Sequence, residues 1–426
     1  MKKITIERIN EIIYEHTLPC GLKIYIWPFN KANDIYMTLT IRYGSLHTSY
    51  EVQGKKYNVP NGMAHFLEHI KFNEKDGKTA HDFFNKIGSY ANAYTTYDHT
   101  SYEVMCNSNL KENLNHLLFF VNNNYFTKDL VAKEKPIIIE EAKMTMDNPY
   151  NEGYFKLLNN IYKEDNHRFL VTGKPEDIKT ITMEDAQNVF DAFYHPKNMF
   201  LVVTGNVNPY EVIKVCEEFY ENNESTKYLN PKIICPKEPK KINKKESIIN
   251  TNVTKEKVFF GVKIDRKKFK DFTDLYLRIY LNMSLNINFG STSLFKEYII
   301  NNRLVDDFSY SVSINKDFVI LLFETSSSFP KEIIKLTEEK LDNLEIPEDD
   351  FIRKNRVSIA SSILGYEDAF DVNNQIRSDI MRYDGIINNV PSIFESLKIE
   401  DAQKIIKSIG NERCYVILKP KKKDND

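Results

Sequence analysis

Two histidines one helical turn apart flank a glutamate in the stretch GMAHFLEHIKF (62–72): His65, Glu68 and His69. On a helix, positions 65 and 69 project from one face, so two imidazoles can reach a single ion, and position 68 falls within the same third of the circumference. Imidazole and carboxylate donors suit zinc, and a catalytic zinc site takes three protein ligands and keeps a position open for water. Such an ion lowers the pKa of its water from about 15.7 to about 7. A nearby carboxylate that is not itself a ligand, here Glu68, can then accept the proton and later deliver it to a leaving amine. The third ligand must come from elsewhere in the chain. The remaining histidines, at 16, 47, 81, 99, 116, 167 and 195, show no comparable partner spacing.

Holding that helix in place requires a fold, and 426 residues exceed what one hydrophobic core usually organises. With 42% hydrophobic and 12% aromatic residues, two cores can be filled. The stretches ITMEDAQNVFDAFYHPKNMFLVVTG (181–205) and LKIEDAQKIIKSIGNERCYVILKP (397–420) both read as a polar start, an amphipathic helix and an apolar strand. Their shared EDAQ begins at Glu184 and Glu400, 400 − 184 = 216 residues apart, which suggests duplication of one unit. Between them, residues 223–247 carry three prolines and a lysine run, the composition of a linker. Asn208-Pro209 forms a cap followed by proline at the first helical position.

Strands are expected in GLKIYIWPF, DIYMTLTIRYGS and YANAYTTYDHTSYEVMC of the first half, and in KVFFGVKI, SYSVSI and FVILLFETSS of the second. No steady βα alternation appears, so the expected class is α+β. It comprises two homologous domains, each a largely antiparallel sheet packed with helices, at 1–222 and 248–426. The terminal KPKKKDND reads as a frayed tail.

Fifty-eight basic residues nearly balance 60 acidic ones, so no global field draws the protein to nucleic acid or to a membrane surface. No apolar run approaches the ~18 residues of a membrane span, and the start lacks the apolar core of a secretory signal. Five scattered cysteines without a short-spaced pair point to a reducing cytosol.

The order His-x-x-Glu-His inverts the commoner zinc-peptidase motif and is that of the inverzincins. Together with FFNKIGSYANAYTTYDHTSY (83–102) and EKPIIIEEAKM (134–144) followed by DNP, it resembles the successive landmarks of the pitrilysin or insulinase-type zinc metallopeptidases. The likeness is to their two-domain, bacterial and mitochondrial-processing-peptidase-like branch, strongest over residues 20–205. It implies that Glu141 is the third ligand of one zinc ion per chain, and that Glu134, two turns earlier on the same face, supports a histidine ring from the outer shell. Glu140 takes the ligand role if the register slips by one. Pro136 implies that the helix either starts there or bends between the two glutamates.

The resemblance further implies that Asn92 and Ala93 lie on an edge strand to which substrate adds by main-chain pairing. Arg303 and Tyr310 would hold the substrate and its developing oxyanion at the zinc site of the facing subunit, although an ungapped alignment puts Ile299 at the arginine position. Two-domain members close as pairs around a chamber, so a homodimer, or a heterodimer with a related zinc-free subunit, is expected. The implied activity is zinc-dependent endopeptidase cleavage of peptides or unfolded segments inside that clamshell. Rival roles are a non-catalytic peptide-binding or assembly subunit, and a dedicated maturase trimming the leader of a modified peptide.

Overall fold

A computed structural model describes residues 1–223 and 227–421. In chain order the strands of the first half are β1 (Lys2–Thr5), β2 (Ile12–Thr17), β3 (Lys23–Pro28), β4 (Ile35–Ile41), β5 (Ser49–Val52), β6 (Lys55–Asn58), β7 (Tyr90–Thr95), β8 (Thr100–Cys106), β9 (Met199–Gly205) and β10 (Lys232–Ile233). Those of the second are β11 (Glu246–Thr251), β12 (Lys257–Asp265), β13 (Ser309–Ile314), β14 (Phe318–Ser326) and β15 (Arg413–Pro420).

They form a seven-stranded sheet, β1-β2-β3-β9-β4-β8-β7, a small sheet, β10-β5-β6, and a five-stranded sheet, β11-β15-β12-β14-β13. The run β3-β9-β4-β8-β7 and the five-stranded sheet match strand for strand. Each has one parallel pair at the same place, β3 with β9 and β11 with β15, and is otherwise antiparallel. The EDAQ helices, Met183–Phe193 and Ile399–Ile406, precede the corresponding strands β9 and β15. The class is therefore α+β with a repeated topology.

The two compact units are not continuous stretches of chain on either side of 223–247. The first comprises Met1–Lys143, Phe169–Cys235 and Ser361–Pro391, and the second Met144–Arg168, Pro236–Ala360 and the chain from Ser392 onward. Each unit thus takes a helix from the opposite half of the sequence. In the first, the Ala369–Tyr383 helix buries Val372, Ile376 and Ile380 against Tyr25, Trp27, Phe200 and Val202. Asn373 pins it there: Thr38 donates to its Oδ1 at 2.8 Å, and its Nδ2 donates to the carbonyls of Tyr36 and Val202, each at 3.2 Å.

In the second unit, the Pro149–Ile161 helix buries Leu157, Leu158 and Ile161 against Phe259, Ile320, Val416 and Leu418. Gly153 permits that approach, since a Cβ there would lie 2.2 Å from the Phe259 ring. Cover on both faces explains why β9 is buried along its whole length and reads as an unbroken apolar run.

Three local features differ from expectation. YANAYTTYDHTSYEVMC is a hairpin rather than one strand, because Thr96–His99 closes a turn with Thr96 N donating to His99 O at 2.8 Å. The first strand of the second sheet is β11, ESIINT, ahead of the expected KVFFGVKI. As an edge strand β11 alternates between exposed and covered positions, so it lacks an apolar run. Within 223–247, β10 pairs with β5. Residues 224–226, and 422–426 of the expected tail, lie outside the described residues. Asn208 does cap its helix, accepting from Tyr210 N at 3.0 Å with Pro209 first in line. Among the described residues, no helix is long and apolar enough to cross a membrane.

One buried ion pair holds the second unit together at its loops. Lys263 and Glu238 meet at 2.5 Å with side chains 0% and 2% exposed. Glu238 also accepts from the backbone N–H groups of Lys163, Glu164 and Asp165, while Lys263 donates to the carbonyls of Ile161, Pro239 and Lys241. Removing one partner leaves an uncompensated buried charge. Lys263→Met is therefore expected to destabilise the protein by about 3–5 kcal/mol, measured as a lower urea midpoint by circular dichroism. A midpoint equal to wild type would show that the pair is dispensable.

Candidate active site

The Met63–Lys71 helix divides its residues cleanly. Met63, Phe66, Leu67 and Ile70 enter the first core, and His65, Glu68 and His69 take the complementary side. Lys71 anchors the helix end: it is buried, donates to the carbonyl of Asn123, and lies 4.5 Å from the Phe190 ring. Burial holds its pKa well below the usual lysine range.

The Lys128–Asp147 helix supplies the facing carboxylates. It runs unbroken through Pro136 and buries Leu130, Val131, Glu134, Ile138 and Ala142 along one stripe. His65 Nε2 stands 3.5 Å from Glu141 Oε1, and His69 Nε2 stands 3.4 Å from Glu141 Oε2. The three residues can offer ligand atoms that all lie within 4.8 Å of one another. Bonds of about 2.0 Å to a tetrahedral ion put neighbouring ligand atoms about 3.3 Å apart. The observed separations are long for good hydrogen bonds and fit that edge, so this donor set suits zinc. Glu140 points elsewhere and pairs with Lys143 at 2.6 Å, which leaves Glu141 as the carboxylate in register.

Around this trio, Glu134 Oε2 lies 3.8 Å from His69 Nδ1, and Asn73 Nδ2 donates to Glu134 Oε1 at 3.4 Å and to His69 O at 3.3 Å. Glu68 is buried and accepts a 2.5 Å hydrogen bond from Thr95 Oγ1. His65 Nδ1 is buried with no hydrogen-bond partner among the described residues.

The electrostatics follow from this packing. Burial raises the Glu68 carboxyl, partly countered by His65, Thr95 and His69. Burial pulls His69 down, but Glu134 and Glu141 beside its nitrogens outweigh that and hold it at about 9. Contacts with His65 and His69 hold Glu141 well below the usual carboxylate range, and His69 does the same, less strongly, for Glu134.

Asn92 and Ala93 lie on β7, the terminal strand of the seven-stranded sheet, with Asn92 exposed and Ala93 half-buried. Arg303 and Tyr310 belong to the second unit and to different elements. Arg303 is exposed with φ 55° and ends the Leu294–Asn301 helix: its N–H donates to Ile300 O and that of Leu304 to Ile299 O, each at 2.9 Å. That is the left-handed position after a helix that glycine usually fills. Tyr310 shares the inward face of β13 with Val312 and Ile314, and burial pushes its phenol up to about 12. Ile299, the alternative to Arg303, is fully buried in the second core. Thr95 and Asn73 escaped the sequence reading, because each meets its partner only in the folded chain.

The fold has relatives among known proteins. The profile described as Insulinase (Peptidase family M16) matches residues 31–176, and the one described as Peptidase M16 inactive domain matches 180–354. The chain is 30% identical over 432 residues to the uncharacterised zinc protease YmfH of Bacillus subtilis, covering 98% of this chain and 100% of that protein. The crystal structure of a putative M16-like peptidase from Alicyclobacillus acidocaldarius superposes with a TM-score of 0.92 at 23% identity, over 98% of this chain and 100% of that one. Pitrilysin superposes with a TM-score of 0.76 at 13% identity, with all of this chain covering 47% of its length. The chain belongs to the insulinase family of peptidases.

Proposed function

We propose that this protein is a zinc-dependent endopeptidase in which His65, His69 and Glu141 hold one zinc ion and Glu68 is the general base. The observation that carries the reading is the pair of 3.4–3.5 Å separations from one carboxylate to two imidazoles, beside a buried glutamate that is not part of the trio. Zinc bound there supplies a Lewis acid for the scissile carbonyl and lowers the pKa of water. Glu68 takes the proton from the attacking water and passes it to the departing amine. Glu134, steadied by Asn73, keeps the His69 ring in orientation.

Substrate adds to the free edge of β7 at Asn92 and Ala93, so binding depends on main-chain hydrogen bonds more than on side chains. Tyr310 of the facing subunit donates its phenol proton to the developing oxyanion, and Arg303 of that subunit holds the substrate backbone. A second subunit, identical or related, completes the chamber. That this chain matches about half of pitrilysin supports the pairing. Five free cysteines support action in a reducing cytoplasm.

Glu68→Gln is expected to keep one zinc per chain by metal analysis while lowering kcat for a quenched fluorescent peptide by about 10²–10⁴-fold. Unchanged cleavage would refute the assignment. Glu141→Ala should lose stoichiometric zinc and Glu140→Ala should keep it, and the reverse pattern would move the ligand by one residue. For assembly, light scattering of active protein from native cells should give the mass of two subunits, and an active monomer would count against the chamber.

A further inference from the structure

Building on the peptidase reading, we infer that Thr95 is the positioning residue of the base: its hydroxyl holds Oε2 of Glu68 and leaves Oε1 as the oxygen that takes the proton. The hydrogen bond from Thr95 is the one that the Glu68 side chain receives among the described residues. Its direction follows from counting protons. An ionised carboxylate only accepts. The neighbouring hydroxyl of Thr100, 3.4 Å from Thr95 Oγ1, already donates to the Tyr43 carbonyl at 3.0 Å. The single Thr95 proton therefore goes to Glu68, and 2.5 Å is the length of a charge-assisted O–H···O bond.

The donor is carried on a clamped support. Thr95 ends β7 opposite Thr100, and the turn beyond it is held by Ser45 N to Thr96 O at 3.0 Å and Leu46 N to Tyr97 O at 2.9 Å. Gly44 lies so close beneath that a Cβ there would come within 2.5 Å of His99 N. A glutamate terminus otherwise rotates freely and exchanges its two oxygens, whereas proton transfer needs one oxygen at a fixed place. Because Thr95 shares β7 with Asn92 and Ala93, the same strand that pairs with substrate also aims the base.

The test compares wild type, Thr95→Val, Thr95→Ala, Thr95→Ser and Glu68→Gln as zinc-loaded full-length proteins. Valine keeps the shape and removes the donor, and alanine serves if valine does not fold. Either should lower kcat by about 10–100-fold with KM and zinc content unchanged. Serine should restore kcat to nearly the wild-type value. Crystals of the metal-free proteins give a readout independent of turnover: the Glu68 carboxylate should leave its present position in Thr95→Val and keep it in Thr95→Ser. Wild-type kcat in both Val and Ala variants beside an inactive Glu68→Gln would overturn this inference and leave the peptidase reading standing. Loss of zinc, or a loss that serine does not rescue, would show a purely structural role and also overturn it. An active Glu68→Gln would instead overturn the peptidase reading itself.

Discussion

One carboxylate set between two imidazoles ties together two helices of the first unit. Glu141 meets His65 and His69 only if two helices separated by more than fifty residues lie against each other in a fixed rotation. The Met63–Lys71 helix is oriented by its apolar side, and the Lys128–Asp147 helix by a stripe at 130, 134, 138 and 142. Glu134 occupies a place in that stripe where an apolar residue would pack more cheaply. Such a local violation is expected where function overrides packing. Pro136 does not break the helix, because it lies on the exposed side together with Ala132. The Ala132 carbonyl that loses its helical donor can then be met by water.

What could be read beforehand divides along sequence distance. His65, Glu68 and His69 are legible because helical spacing alone brings them together, and the EDAQ repeat is legible because both copies keep the same helix-to-strand order. Glu141 came from resemblance, not spacing. Thr95 meets Glu68 across 27 positions and Asn73 meets Glu134 across 61, and neither threonine nor asparagine advertises such a role. The exchanged helices were illegible for a related reason. An amphipathic stripe such as Val372, Ile376, Ile380 states that a face will be buried, but not which of two similar sheets will cover it.

The repeat shows how one topology serves two ends. In the first unit the segment between β4 and β7 contains the His-x-x-Glu-His helix. In the second, the segment between the corresponding strands β12 and β13 contains the Asp274–Phe289 helix, which buries Tyr280, Leu281, Ser284, Leu285 and Asn288 and carries no histidine. One of its buried polar groups is used for packing: Asn288 donates to Glu345 O at 2.8 Å and accepts from Glu345 N at 3.1 Å. The second copy spends this position on holding its own chain together, in keeping with the family profile matched over 180–354.

Charge balance argues for what the first copy holds. Glu68, Glu134 and Glu141 surround two imidazoles, so even with both rings protonated the cluster carries one more negative than positive charge. Glu68 and Glu134 are buried, where uncompensated charge is disfavoured. Protonation of His69, which the carboxylates beside it favour, offsets one of the three negative charges and still leaves that excess. A divalent cation between the three proposed ligands would displace that proton and supply more positive charge at the centre than a single imidazolium does. The raised His69 and the lowered Glu141 are two views of one attraction between the imidazoles and the carboxylates set among them, the attraction that a cation held by the same donors would take over.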